Sequence, residues 1–329
     1  VRVLLIGLGR WGEKHLRVLL ELGVDLWVAD RSDERRALAV RTGVAPARVL
    51  QDFRVGLPEV DAVDVVTPAD SHRALVAECL CAGKDCFVEK PLALTVEEGL
   101  ALVEAQRRTG RLLQVGHIFR FHPVTEALRS WLASGQAGAI RYCTGRFAGF
   151  KRPRADAGVT MTDAIHYFDL FAYLLGQAPT AVTATLRDHL GRGMDDCSFS
   201  TVEYGQVPAI IEAGYFAPGT HRDCVIVAER ATAAADFGAS EVRVHANRHV
   251  LTPAGWQAHE GAVETLKATG PEPLRRELEL FLNAVGRRET PAVDVDAGLL
   301  ALLTVEAARR SSEQGRRLTL AELWPHPMG

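Results

Sequence analysis

Three groups of residues have the types and spacing of chemistry. The first is Gly7-x-Gly9-x-x-Gly12, which follows directly on the apolar run Val3-Leu4-Leu5-Ile6. A strand that ends abruptly and hands over to a helix needs Gly7 for the bend, Gly9 so that backbone can approach a pyrophosphate, and Gly12 for close helix packing. The helix's free amides then face the phosphates and its dipole favours their charge. Arg10 and Trp11, between the glycines, are assigned to the same ligand. The second group is Asp30 with Arg31, about 20 residues on, where a carboxylate accepts hydrogen bonds from an adenine ribose. Such a carboxylate repels a 2′-phosphate and favours NAD over NADP, whereas Arg31 could pair with that phosphate or lie flat on the adenine. The third is Lys90, set between Glu89 and Pro91. Pro91 fixes the loop and Glu89 holds or tunes the ammonium. A lysine there can move a proton to or from a substrate hydroxyl, provided burial and a nearby positive ring lower its pKa.

These residues need elements to hold them. Up to about residue 118 strands read at 1–6, 25–29, 62–66, 86–88 and 112–115, alternating with helices at 10–22, 32–42, 71–82 and 95–109. Alternation with apolar strands predicts a parallel sheet covered on both faces, with ligands at the carboxyl ends of its strands. Gly7, Asp30, Thr67-Pro68, Glu89-Lys90-Pro91 and Gly116-His117 fall at those ends, and His72 begins the helix after Thr67-Pro68. Thr67, Pro68 and His72 are assigned to the nicotinamide side of the pocket.

Further on, a helix at 123–134 leads to a strand at 139–147, a loop rich in Arg, Pro, Gly and Asp, and a helix at 160–175. Strands follow at 181–188, 198–204, 208–215, 223–228, 231–237 and 241–246, then helices at about 272–285 and 296–313. The chain therefore reads as α/β, with a Rossmann domain over 1–120 and an α+β domain over 121–329 that carries an open-faced, mostly antiparallel sheet. Ile210, Val225 and Val227 alternate on the open face, so a homodimer or homotetramer through that sheet is expected. Residues 324–329 read as a loose tail.

A length of 329 residues suits two domains. A net charge of −3 with dispersed arginines gives no footprint for nucleic acid. No apolar run reaches the roughly 18 residues of a membrane span, and the first strand is too short for a signal peptide, so a cytoplasmic protein is expected. Of six cysteines, Cys79 and Cys81 share a helix at i and i+2, which point to different faces, and the others are isolated. No metal site is expected from them.

The glycine turn, Thr67-Pro68 with His72, Glu89-Lys90-Pro91, the run Gly116-His117-Ile118-Phe119-Arg120-Phe121-His122-Pro123, and a helix bearing Asp163 and His166 occur in the order and spacing of one family. Over nearly its whole length the chain resembles the glucose-fructose oxidoreductase, inositol dehydrogenase and rhizopine-catabolism family of NAD(P)-dependent oxidoreductases. The resemblance implies a Rossmann domain followed by an open-faced mixed sheet, with substrate between the sheet's edge and the nicotinamide. It implies hydride transfer between the nicotinamide and a secondary alcohol of a sugar, nucleotide sugar or cyclitol. Lys90 then donates or accepts the proton, or orients the substrate, and His166 is a general acid or base.

The family's second catalytic helix reads Asp-x-x-x-His, whereas here Thr162 stands four residues before His166 and Asp163 three before. Positions i and i+3 still share a helix face. Asp163 is therefore assigned to catalysis and substrate contact, and Asp169 to orienting the imidazole or capping a neighbour. His117 and Arg120 are placed to touch substrate or bridge the domains. Arg152 belongs to the loop Lys151-Arg152-Pro153-Arg154-Ala155-Asp156, which reads as a solvated loop or an anion clamp. The run from Gly116 looks most like the branch that oxidises nucleotide-linked amino sugars, although free sugars, inositols and diols are served by the same scaffold. Two other readings stay open: an NAD-binding sensor or co-regulator, and an enzyme that recycles a tightly bound NAD, of the aldose oxidoreductase or NAD-dependent glycosidase type.

Overall fold

Val3, Leu4 and Leu5 are fully buried, so neither face of their strand meets water. That is the environment of a central strand in a parallel sheet. In the computed structural model, which describes residues 1–324, this strand is β1 (Arg2–Ile6). With β2 (Asp25–Ala29), β3 (Val49–Leu50), β4 (Ala62–Val65), β5 (Asp85–Glu89) and β6 (Leu113–Gly116) it forms a sheet of order β3-β2-β1-β4-β5-β6, parallel throughout. The order reverses between β1 and β4, and a ligand crevice opens at the carboxyl ends there. The two-residue β3 is absent from the sequence reading because so short a strand carries no periodicity.

Helices α1 (Gly12–Glu21), α2 (Asp33–Thr42), α3 (His72–Cys81) and α4 (Val96–Thr109) make connections between these strands. Their boundaries have local causes. Ser32 and Thr95 accept the amides of Arg35 and Glu98, and left-handed Gly43 and Gly110 end α2 and α4.

The contacts divide the chain into two units, 1–118 with 272–302 and 119–271 with 303–329. The sequence predicts one boundary, after residue 120, whereas the segment Glu272–Leu302 belongs with the first unit. Helical spacing in Pro273–Arg287 sets Leu274, Leu278, Phe281 and Val285 on one stripe, buried in the same core as Leu16, Leu19 and Phe87. The rings of Phe87 and Phe281 meet edge to face with centroids 5.7 Å apart. Burial of each such side chain contributes roughly 1.5–3 kcal/mol, which fixes the helix on the first unit despite its late position in the chain.

The second unit begins with α5 (Pro123–Ala133), β7 (Ile140–Gly149) and α6 (Ile165–Leu175), the last preceded by a wide π-helical turn, Thr160–Ala164. Next come β8 (Ala181–Arg187), β9 (Cys197–Tyr204), β10 (Val207–Gly214), β11 (Thr220–Ala228), β12 (Thr232–Asp236) and β13 (Glu241–His245). A hairpin of β14 (Arg248–Thr252) and β15 (Gly255–His259) precedes β16 (Val263–Lys267), and β17 (Leu318–Thr319) closes the set. The main sheet runs β16-β13-β12-β11-β7-β10-β9-β8-β17, with β7 and β10 parallel and the other pairs antiparallel. α5 lies on β12 and β13, and α6 on β7 and β9. On the other face Tyr142, Phe199 and Ile210 are exposed, with Ile210 between Thr144 and Thr201. Val225 and Val227, expected on the same face, are half-buried. Of the segment read as a tail, Trp324 donates its amide to Leu320, and residues 325–329 lie outside the described residues.

Candidate active site

The glycine turn meets the demands set by its sequence. Gly7 has φ +96°, and a Cβ there would lie 2.6 Å from the carbonyl oxygen of Val66. A Cβ on Gly12 would collide with the carbonyl of Gly7, so the helix can start so close only without one. Gly9 is the opposite case, since a Cβ there would meet nothing within 4 Å. Its backbone faces open space of the kind a pyrophosphate fills. Beside the turn, Asp30 accepts the amides of Leu8 at 2.7 Å and Ser32 at 2.8 Å, which fixes the carboxylate next to the glycines. Arg10 and Arg31 are exposed. These residues fit a dinucleotide.

The Glu89-Lys90-Pro91 segment is tied to the same turn through Glu89. Trp11 Nε1 donates to Glu89 Oε1 at 2.7 Å, and the Lys90 amide donates to Oε2 at 3.1 Å. Under it lies a fully buried imidazole: His15 Nδ1 is 2.8 Å from Asp64 and Nε2 is 3.1 Å from Glu89. Burial opposes charge on His15, but Asp64 and Glu89 hold the imidazolium up to about 10. Burial also works against Glu89, yet His15, Trp11 and the Lys90 charge bring it below the usual carboxylate range. For Asp64 burial wins, and its carboxyl is raised despite His15. The Lys90–Pro91 peptide is cis.

His72 acts on this region through backbone. Its ring nitrogens lie 2.8 Å from the Pro91 carbonyl and 3.0 Å from that of Thr67, with the ring almost wholly buried. Burial lowers its pKa. His72 therefore ties the loop after Thr67 to the loop that carries Pro91. Thr67 Oγ1 pairs with Ser71 Oγ at 2.7 Å, Pro68 is exposed, and His117 is buried at the end of the sheet.

In the second unit His166 is buried on α6 and stacked by two rings, Phe119 at 4.8 Å and Phe147 at 5.2 Å. Asp163, in the π-helical turn, is buried and accepts from Lys151 Nζ at 2.6 Å. Burial lowers the Lys151 pKa; Asp163 opposes this, while Arg222 and Arg154 add to it. Asp169 receives Arg120 in a two-point pair, Nε at 2.8 Å and Nη2 at 2.5 Å, with Tyr173 beneath the guanidinium. Removing one partner of so buried a pair costs about 3–5 kcal/mol. Arg120, expected to meet substrate or bridge domains, thus braces α6. Arg152 is exposed, and Arg154 pairs with Asp156.

The arrangement joins a dinucleotide turn to a lysine in one unit and places a ring-stacked histidine beside a Lys–Asp pair in the other. Two models of one family match the chain: an oxidoreductase family with an NAD-binding Rossmann fold over residues 1–117, and the GFO/IDH/MocA C-terminal domain over 125–234. The chain belongs to the GFO/IDH/MocA family. That family is one of oxidoreductases built on an NAD-binding Rossmann unit. An inositol 2-dehydrogenase of Acidothermus cellulolyticus is 37% identical over 184 residues, a match that spans 53% of each protein. A UDP-N-acetylglucosamine 3-dehydrogenase of Acidithiobacillus ferrooxidans is 29% identical over 94% of this chain and 97% of its own length. The structure of an enzyme of that name and organism superimposes with a TM-score of 0.82 at 26% identity, over 95% of this chain and 98% of that one.

Several residues of the site escaped the sequence reading. Asp64 interrupts the apolar stretch Ala62-Val63-Asp64-Val65-Val66, a signal that a partner must be buried with it. His15, on the buried face of α1, is that partner. Tyr215, Arg192 and Arg222 carried no such signal, because loops and strand ends distant in sequence bring them to Lys151.

Proposed function

We propose that this enzyme transfers hydride between NAD and a secondary alcohol of a sugar, nucleotide sugar or cyclitol, with Lys90 moving the hydroxyl proton. The observation that carries the reading is Glu89, which holds the glycine turn through Trp11 and the Lys90 backbone at once. NAD, when bound, supplies the hydride acceptor or donor. Lys90 Nζ takes the proton from the substrate oxygen or returns it, and His166 serves as a second acid or base. Asp163 holds Lys151 and orients the substrate's polar groups. The preference for NAD over NADP follows from Asp30, whose carboxylate disfavours a 2′-phosphate. Lys90→Met is expected to lower kcat by a factor on the order of 10³ while NAD affinity stays unchanged; full turnover in that variant would sink the reading.

The same reading includes a homodimer or homotetramer through the exposed face of the nine-stranded sheet, and a cytoplasmic setting. Among the described residues no helix is long and apolar enough to cross a membrane, and none of the cysteines is in a disulfide. Sedimentation should give a multiple of the 35.8 kDa chain mass, and a species of monomer mass alone would reject the association.

A further inference from the structure

Around Tyr215 the second unit holds more positive charge than its carboxylates answer. The Tyr215 ring lies under Lys151 Nζ at 5.4 Å and the Arg192 guanidinium at 5.8 Å. The ring of Phe147, on which Lys151 also sits at 4.9 Å, carries the Arg222 guanidinium 3.4 Å from its centroid. Lys151 has Asp163 as counter-charge. Among the described residues neither the Arg192 nor the Arg222 guanidinium has a carboxylate within 4 Å, and Asp188 and Asp163 act on them only from further off. Arg222 Nη1 donates to the carbonyls of Ala148 and His221, and Arg192 Nη1 to that of Arg154. Carbonyls satisfy donors and leave the charge. The Nε and Nη2 of Arg192 are buried and have no hydrogen-bond partner among the described residues.

Withdrawing an uncompensated guanidinium from water costs several kcal/mol. Burial pushes Arg222 down from its ordinary value against the pull of Asp163. The unpaired edge of Arg192 is the same Nε/Nη2 edge with which Arg120 grips the two oxygens of Asp169. That edge matches a carboxylate or a phosphate in two-point fashion and bonds a neutral hydroxyl more weakly.

We infer that Arg192, Arg222 and Lys151 form an oxyanion site, and that the substrate carries a carboxylate or phosphate group into it. The word substrate rests on the dehydrogenase reading above. Sugar acids, sugar phosphates and nucleotide sugars have the required group, and neutral hexoses and cyclitols do not.

The test is calorimetric titration of the protein saturated with NAD, so that the glycine turn is not available to an added anion. D-glucuronate and inorganic pyrophosphate are the two probes, and D-glucose is the neutral control. At least one anion is expected to bind, with glucose at least about tenfold weaker and added NaCl competing. A glucuronate response assigns a carboxylate, and a pyrophosphate response a phosphate. Arg192→Gln should weaken the anion about tenfold, the loss of one charge-assisted contact. Arg222→Gln should act likewise. If that variant does not fold, Arg192→Gln, in the loop before β9, decides alone. Binding of neither anion, or anion binding unchanged in Arg192→Gln, overturns the inference. Because no turnover is read, a failed anion site leaves the Lys90 result standing, and an inactive Lys90 mechanism leaves the anion site standing.

Discussion

Around the glycine turn the polar side chains of the first unit are bonded to one another, Trp11 and His15 to Glu89, His15 to Asp64, and Leu8 to Asp30, and of these Asp64 keeps one unpaired oxygen. Around Tyr215, among the described residues, the second unit keeps two guanidinium groups without a carboxylate in ion-pair contact and one of them with unused donors. The difference follows from what each must hold. A cofactor that is the same in every turnover can be met by a rigid, self-satisfied frame. A group that arrives and leaves with each substrate needs partners left open for it.

The comparison can be broken most severely at Gly9. A Cβ at position 9 meets nothing within 4 Å, so Gly9→Val builds into the open space beside the turn and should weaken NAD by a factor on the order of 10³, about 4 kcal/mol. Calorimetry with NAD checks it, and wild-type affinity in the variant would remove the turn from the cofactor site. A smaller effect tests the self-satisfied frame through pH. His15 has a folded pKa raised to about 10, so its contribution to stability is complete below its ordinary value near 6.5 and fades as pH rises toward 10. Denaturant midpoints should fall across that window by an amount on the order of 3 kcal/mol, and the fall should be missing in His15→Gln. An unchanged profile in the variant would show that the imidazolium is not what the frame depends on. Smallest is Asp30→Ala, which should narrow the preference for NAD over NADP about tenfold, about 1.4 kcal/mol, read as the ratio of the two Kd values. No narrowing would move the cofactor choice to another residue.

What the sequence made legible divides along the same line. Gly7, Gly9, Gly12 and Asp30 act through backbone geometry and nearest neighbours, which spacing encodes, and the alternation of β1, β2, β4, β5 and β6 with helices reads as a parallel sheet. The return of Glu272–Leu302 to the first unit was not legible, because the stripe Leu274, Leu278, Phe281 and Val285 says only that a helix is buried and not against which core. The helix of His166 was legible, but its partners Phe119 and Phe147 come from a turn before α5 and from β7. Asp169 was expected to orient the imidazole or cap a neighbour, and it is found on Arg120. Helical spacing names a shared face but gives no preference among the cations that reach it. The Lys151 loop kept two meanings in the sequence, and its meaning depends on Arg192 and Arg222, which lie about 40 and 70 residues further on and which no local pattern joins to it.

His72 places one imidazole between two carbonyl oxygens, that of Thr67 after β4 and that of Pro91 after Lys90. A neutral ring has a single N–H, and burial keeps this ring neutral more readily than usual. At any instant only one of the two loops is fastened by a proton, and a change of tautomer passes the fastening to the other. The segment that carries Lys90 and the segment that ends β4 thus share one proton, and each is held at the expense of its neighbour.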